Sequence, residues 1–206
     1  MGRWIRGAFG LVLGAILPFL LLVRLSVFLY AETGWGSWGA VLGAGIATAF
    51  LLAFYVWLLR VRLQNRLTVP SAALRWIALV VAAYLVYALV YLSSAQAKTT
   101  DVQSGFRDLH PVMRVAVSTI LLADRGALVT DLGRTEADYR SWGLPVNEAS
   151  LHFEQVDGWV HAMDLRTLGR PEWRNRLVHF YFWATGFRTL RHMGTADHLH
   201  VSLPLP

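Results

Sequence analysis

Residues Trp38 to Leu59 read WGAVLGAGIATAFLLAFYVWLL, 22 residues without a charge. A helix of that length rises about 33 Å and crosses a hydrocarbon layer of about 30 Å. On the C-terminal side, Trp76 to Ala97 is another uncharged run of 22 residues, apolar as far as Leu92 and then polar at Ser93, Ser94 and Gln96. On the N-terminal side, Gly7 to Val23 supplies 17 uncharged residues, followed by Arg24 and a further apolar run to Ala31. Arg24 must therefore snorkel or face protein. Three transmembrane helices are predicted, over about 5–30, 37–59 and 75–93, within a membrane domain 1–92. The first reads as a retained anchor rather than a cleaved signal peptide, since its apolar run is long and no small-x-small site precedes Glu32.

Composition and charge agree with this division. The 206 residues are 55% hydrophobic and 16% charged, an apolar excess that a single soluble globule of this size does not hide. Residues 1–92 carry seven Arg and one acid, Glu32, whereas residues 93–206 carry twelve basic and twelve acidic residues. The net charge of +6 thus belongs to the membrane half, and nucleic-acid binding loses its electrostatic support. Arg3 and Arg6 precede the first span, and Arg60, Arg62, Arg66 and Arg75 lie between the second and third. The positive-inside rule then makes the N-terminus cytoplasmic and places the C-terminal domain on the outer side of the membrane. Gly39, Gly43 and Ala47 form a row of small residues that lets another helix approach closely, within the chain or from a second copy.

The segment 93–105, SSAQAKTTDVQSG, is small and polar with no apolar period, and is expected to link the membrane domain to a single small domain over 106–206. In that domain a helix is predicted to begin at an Asp108 cap with Pro111 in its first turn and to end near Asp124. A second helix opens near Pro171, carries Trp173, Leu177, Phe180, Tyr181 and Ala184 on one side, and stops at Gly186. Strands are expected at Ala127–Thr130, Trp159–Leu165, Phe187–Arg191 and His198–Leu203. Helices interspersed with short strands of a small antiparallel sheet give an α+β fold.

All seven histidines fall in this second half, and cysteine is absent, so any metal must use imidazole and carboxylate. In Asp197-His198-Leu199-His200-Val201, alternation along a strand projects both imidazoles from one face. In Trp159-Val160-His161-Ala162-Met163-Asp164, the same alternation separates Asp164 from His161. His152, in the polar connection before that strand, can supply a further nitrogen. His152, Asp164 and His200 then make two nitrogens and one oxygen, and leave the fourth position of a tetrahedral zinc open to water, as hydrolytic sites do. His110, His179 and His192 read as surface or capping residues, and Trp159, Trp173 and Trp183 as core or rim aromatics.

The order Ser150-Leu151-His152, Ala162-Met163-Asp164-Leu165 and Asp197-His198-Leu199-His200-Val201 resembles the lysostaphin/D-alanyl-D-alanine metallopeptidase group, with its hedgehog-like and murein endopeptidase branches. Those enzymes pair an SxHxxGxAxD element with a late HxH or ExxH element. The resemblance covers residues 109–205. It implies a zinc peptidase acting on peptidoglycan stem peptides, as carboxypeptidase or endopeptidase of the cell wall, with His152, Asp164 and His200 as ligands. It makes His198 an assisting group and puts Asp197 where the carboxypeptidases carry a general-base Glu. Arg134, in Val129-Thr130-Asp131-Leu132-Gly133-Arg134, matches an Arg that meets a substrate carboxylate or the oxyanion; an ion pair with Glu136 or Asp138 is its alternative.

This chain departs from the pattern in placing His152 and Asp164 twelve apart, where the family usually shows seven, so a longer turn through Asp157-Gly158 is expected. That insertion leaves His161 as a substitute ligand. It also motivates a different class of function, a catalytically inactive module that binds peptidoglycan or an envelope partner. Strand alternation turns Asp197 away from His198 and His200 unless the strand starts at His198.

Overall fold

The computed structural model describes residues 2–63, 72–194 and 196–206. Arg66 lies outside the described residues, as do the side chains of Arg3 and Arg6. The chain is α+β, with three long apolar helices near the N-terminus and a four-stranded antiparallel sheet. The helices α1 (Gly2–Ala31), α2 (Ser37–Arg62) and α3 (Ala73–Val90) are each long and apolar enough to cross a membrane. In the small-residue row of α2, Gly43 makes room within the chain. A Cβ there would meet the Trp35 ring at 2.9 Å and Leu29 at 3.1 Å.

The segment 93–105 is a docked connection with its own structure. It forms a short 3-10 turn at Ser94–Gln96 and a small helix α4 (Thr100–Ser104). The polar residues that mark it as a linker bond to carbonyls that the apolar helices leave open. Gln96 Nε2 donates to Leu121 O at 3.0 Å, and Gln103 Nε2 donates to Leu92 O at 2.9 Å. Lys98 N donates to Val129 O at 2.9 Å.

Helix α5 (Pro111–Ala123) is apolar around its circumference and is buried on nearly every side, as such a helix must be. It runs between the three long helices and the sheet. Its few polar side chains serve the C-terminal end of α3, whose last carbonyls have no partner within their own helix. Arg114 Nη1 donates to Leu89 O at 2.8 Å, Ser118 Oγ donates to Ala88 O at 3.0 Å, and Thr119 Oγ1 meets the Tyr84 hydroxyl at 2.6 Å. The cap of α5 is His110, not Asp108: His110 Nδ1 accepts from Val112 N at 3.2 Å. Pro111 at the first helical position fixes the cap one residue before it.

The sheet has the order β1-β2-β4-β3, built from β1 (Val129–Asp131), β2 (Ala162–Arg166), β3 (Arg188–His192) and β4 (His198–Ser202). The four strands fall within two or three residues of their predicted positions. The short helix α6 (Glu136–Ser141), with a Thr135–Asp138 capping box, is not apparent from apolar periodicity. Helix α7 (Glu172–Ala184) ends in a Schellman motif, with Gly186 N bonding to Trp183 O at 3.1 Å and Phe187 N to Phe182 O at 3.0 Å. Gly186 has φ +99°, and a Cβ there would lie 2.7 Å from Arg24 Nη1 of α1. Arg24 therefore faces protein.

The apolar side of α7 faces the core only in part, through Tyr181, which packs against it. Val178 and Phe182 are buried, whereas Trp173, Leu177, Phe180 and Trp183 are exposed.

Candidate metal centre

Strand pairing places the first two candidate ligands. Asp164 of β2 lies directly opposite His200 of β4, and Arg166 lies opposite His198, the spacing at which cross-strand side chains touch. Asp164 Oδ1 lies 2.9 Å from His200 Nδ1. His152 reaches the pair from the connection between α6 and β2, anchored by Arg134 N donating to His152 O at 2.8 Å. Its Nε2 lies 3.3 Å from His200 Nδ1 and 3.4 Å from Asp164 Oδ1. The structure thus brings together the three residues read from the sequence as ligands.

The donor atoms fit a tetrahedral ion. Metal–ligand bonds of about 2.0–2.1 Å at tetrahedral angles imply ligand spacings of about 3.3 Å, close to those observed. The tautomer also fits. His152 Nδ1 bonds to the Leu132 carbonyl, which can only accept, so Nδ1 carries the proton and Nε2 keeps its lone pair. Burial alone would push the Asp164 carboxyl up. The hydrogen bonds and positive charge that His152, His200 and His198 offer when protonated outweigh burial and hold it well below the usual carboxylate range.

Around these atoms the predicted accessory residues divide. His198 donates through Nδ1 to Ala196 O at 2.7 Å and points Nε2 at Asp164 Oδ2, 3.7 Å away. Arg134 does not pair with Glu136 or Asp138. Its Nη2 lies 2.6 Å from Asp131 Oδ2 and 3.2 Å from Asp164 Oδ2, so it steadies the candidate ligand through the oxygen that His200 leaves free. Burial would lower the Arg134 pKa, and Asp131, Tyr139 and Asp164 together raise it, so the group stays charged. Asp131 escapes the sequence reading, although its spacing of three from Arg134 is visible there.

Asp197 is a correction. The strand does start at His198, yet the Asp197 carboxylate turns to β3, accepting from Arg191 Nε at 3.1 Å, Arg191 Nη2 at 3.0 Å and Thr167 Oγ1 at 2.5 Å. Those bonds hold its carboxyl below the ordinary range. A carboxylate so engaged is a poor proton acceptor, and the general-base role falls away from it.

His161 is not a substitute ligand either. The twelve-residue interval turns at Asp157-Gly158, with Gly158 at φ +80°, and His161 Nε2 lies 3.0 Å from each Asp157 carboxylate oxygen. With His110 these residues form a second group beneath Tyr30, in which both histidines are buried and Asp157 is exposed, and the Tyr30 hydroxyl donates to Asp157 Oδ2 at 3.1 Å. A cleft of about 480 Å³ opens on Asp164 and His198, with Lys98, Trp142 and Arg166 in its walls.

Compared with family models, curated proteins and solved structures, the chain matches none of them.

Proposed function

We propose that the chain is a membrane-anchored zinc peptidase that hydrolyses amide bonds of peptidoglycan stem peptides, as carboxypeptidase or endopeptidase, on the outer face of a bacterial cytoplasmic membrane. The observation that carries this reading is the convergence of His152 Nε2, Asp164 Oδ1 and His200 Nδ1 within 3.4 Å of one another. The resemblance in the order of the three short elements supplies the substrate class. A zinc ion held there supplies Lewis-acid activation of a carbonyl and of water at neutral pH.

The chain's own residues divide the remaining tasks. His198 keeps its proton on Nδ1 against Ala196 O, so Nε2 is free to accept a proton and later return it to a leaving amine. Arg134 is a positioning residue that fixes Asp164 through Oδ2. Both Nε and Nη2 of Arg134 already meet carboxylates, so recognition of a substrate carboxylate passes to Lys98 and Arg166. These face the cleft and, among the described residues, have no carboxylate partner within 4.0 Å.

The test is metal content of the full chain by elemental mass spectrometry, beside His152→Ala, Asp164→Ala and His200→Ala. About one zinc per chain is expected, with loss in each variant; release of D-amino acids or cut cross-links from peptidoglycan fragments should fall with it. A chain that takes up no zinc when supplied would leave the non-catalytic binding module as the better account.

A further inference from the structure

Helix α7 turns an apolar stripe outward. Trp173, Leu177, Phe180 and Trp183 recur at helical spacing and are 60%, 56%, 61% and 64% exposed. The opposite face already supplies Val178 and Phe182 to the core, so the stripe is surplus to folding. Contiguous exposed aromatic and aliphatic surface of this kind marks an interaction face.

Its surroundings identify the partner. Leu122 and Ala123 at the end of α5, with Tyr181 of α7, share an almost wholly apolar cavity of about 360 Å³ with Ile16 and Phe19 of α1. Ile16 and Phe19 belong to Gly7–Val23, the uncharged part of α1. What packs beside them lies at hydrocarbon depth if α1 crosses the bilayer. Arg24, the first charge after that run, rests against Gly186 just beyond the C-terminal end of α7 and marks the polar edge. At the other end, Arg170 and Arg174 flank Asp124, and the Arg174 guanidinium lies 5.3 Å from the Trp173 ring.

We propose that α7 lies in the leaflet on the domain's side, with Trp173, Leu177, Phe180 and Trp183 against lipid acyl chains. Interfacial helices sink about 5–10 Å into the boundary between headgroups and chains, which matches a helix lying beside the outer part of a span. The cavity between α1 and α5 takes an acyl chain. The proposal rests on reading the three long helices as spans and is independent of the metal chemistry.

The chain has no cysteine, so single Leu177→Cys and Phe180→Cys variants of the full chain can carry a nitroxide. Both positions are exposed, and substitution there removes no core packing. In nanodiscs of phosphatidylethanolamine and phosphatidylglycerol, power-saturation EPR compares collision with oxygen and with a water-soluble nickel chelate. Phe50→Cys on α2, 72% exposed, is the lipid reference, and Glu148→Cys in an exposed loop is the water reference.

Leu177 and Phe180 should match Phe50, with an oxygen-to-nickel ratio several-fold above that of Glu148. A ratio equal to that of Glu148 would put the stripe in water and overturn the proposal. Low collision with both reagents, together with spin–spin broadening, would assign the face to a second copy and overturn it as well. A nickel-accessible Phe50 would instead remove the membrane-span reading on which the proposal stands.

Discussion

His110 and His152 are both buried beside a carboxylate and a second histidine, and they differ in what holds Nδ1. His152 Nδ1 meets a backbone carbonyl, leaving Nε2 as a lone pair for a metal. His110 Nδ1 accepts a backbone N–H, so in the neutral ring Nε2 carries the proton, 3.8 Å from Asp157 Oδ2 and without a hydrogen-bond partner. A protonated Nε2 has no lone pair for a metal, so the group of His110, Asp157 and His161 lacks the donor that His152 supplies to the first group.

Burial, then the neighbouring His161, pulls the His110 pKa down to about 3, against a smaller upward pull from Asp157. An unfolded chain binds a proton there near pH 6.5 and the native chain does not. Stability from this group is complete above about pH 6.5 and is lost as the pH falls towards 3. His110→Asn keeps an N-cap acceptor and removes the titration, so its thermal midpoint should fall less steeply than wild type between those limits, with zinc content unchanged. A wild-type slope in the variant would assign the acid sensitivity elsewhere.

Strand alternation makes His200 and Asp164 legible in the sequence. The tautomers, the Arg134–Asp164 contact and the engagement of Asp197 depend on which long-range neighbours meet, and no local spacing encodes that.

At the level of elements, helical periodicity finds α7, its ends and its apolar side, but not what covers that side. An apolar stripe at helical spacing shows that some apolar medium covers it, and the same pattern serves a protein core or a lipid layer. The Gly186 stop is legible because few other residues take its conformation, whereas its contact with Arg24 joins residues 162 positions apart.

Gly186→Ala should destabilise the full chain by about 1–3 kcal/mol through the positive φ alone, read as a lower thermal midpoint in detergent or nanodiscs. The 2.7 Å approach of Arg24 Nη1 adds to this, although it involves the end of a flexible side chain. In a double-mutant cycle, Arg24→Ala combined with Gly186→Ala should therefore cost less than the sum of the single changes. Strict additivity would mean that Arg24 does not rest against this turn.

Composition divides the chain at residues 92 and 93, but the core does not respect that border. Leu22, Val23, Val27, Val41, Ala44 and Leu85 of the long helices belong to the same buried cluster as Val112, Met113, Val117, Met163, Leu199 and Val201. Helix α5 joins them, packed by the sheet and α7 on one side and by all three long helices on the other. Charge and polarity along a chain report which segments meet water. They are silent about a buried helix that belongs to both halves.

The separation also sets how the site is held. Asp157, on the connection that carries His152, is gripped by Tyr30 at the end of α1. A fragment of residues 98–206 contains every proposed ligand and the whole sheet, yet exposes one side of α5 and frees Asp157 from Tyr30. It should bind a hydrophobic dye, aggregate, and retain less zinc than the full chain in matched dialysis. A monomeric fragment with full zinc occupancy would show that residues 98–206 hold the site unaided, and that the long helices contribute an anchor without structural support.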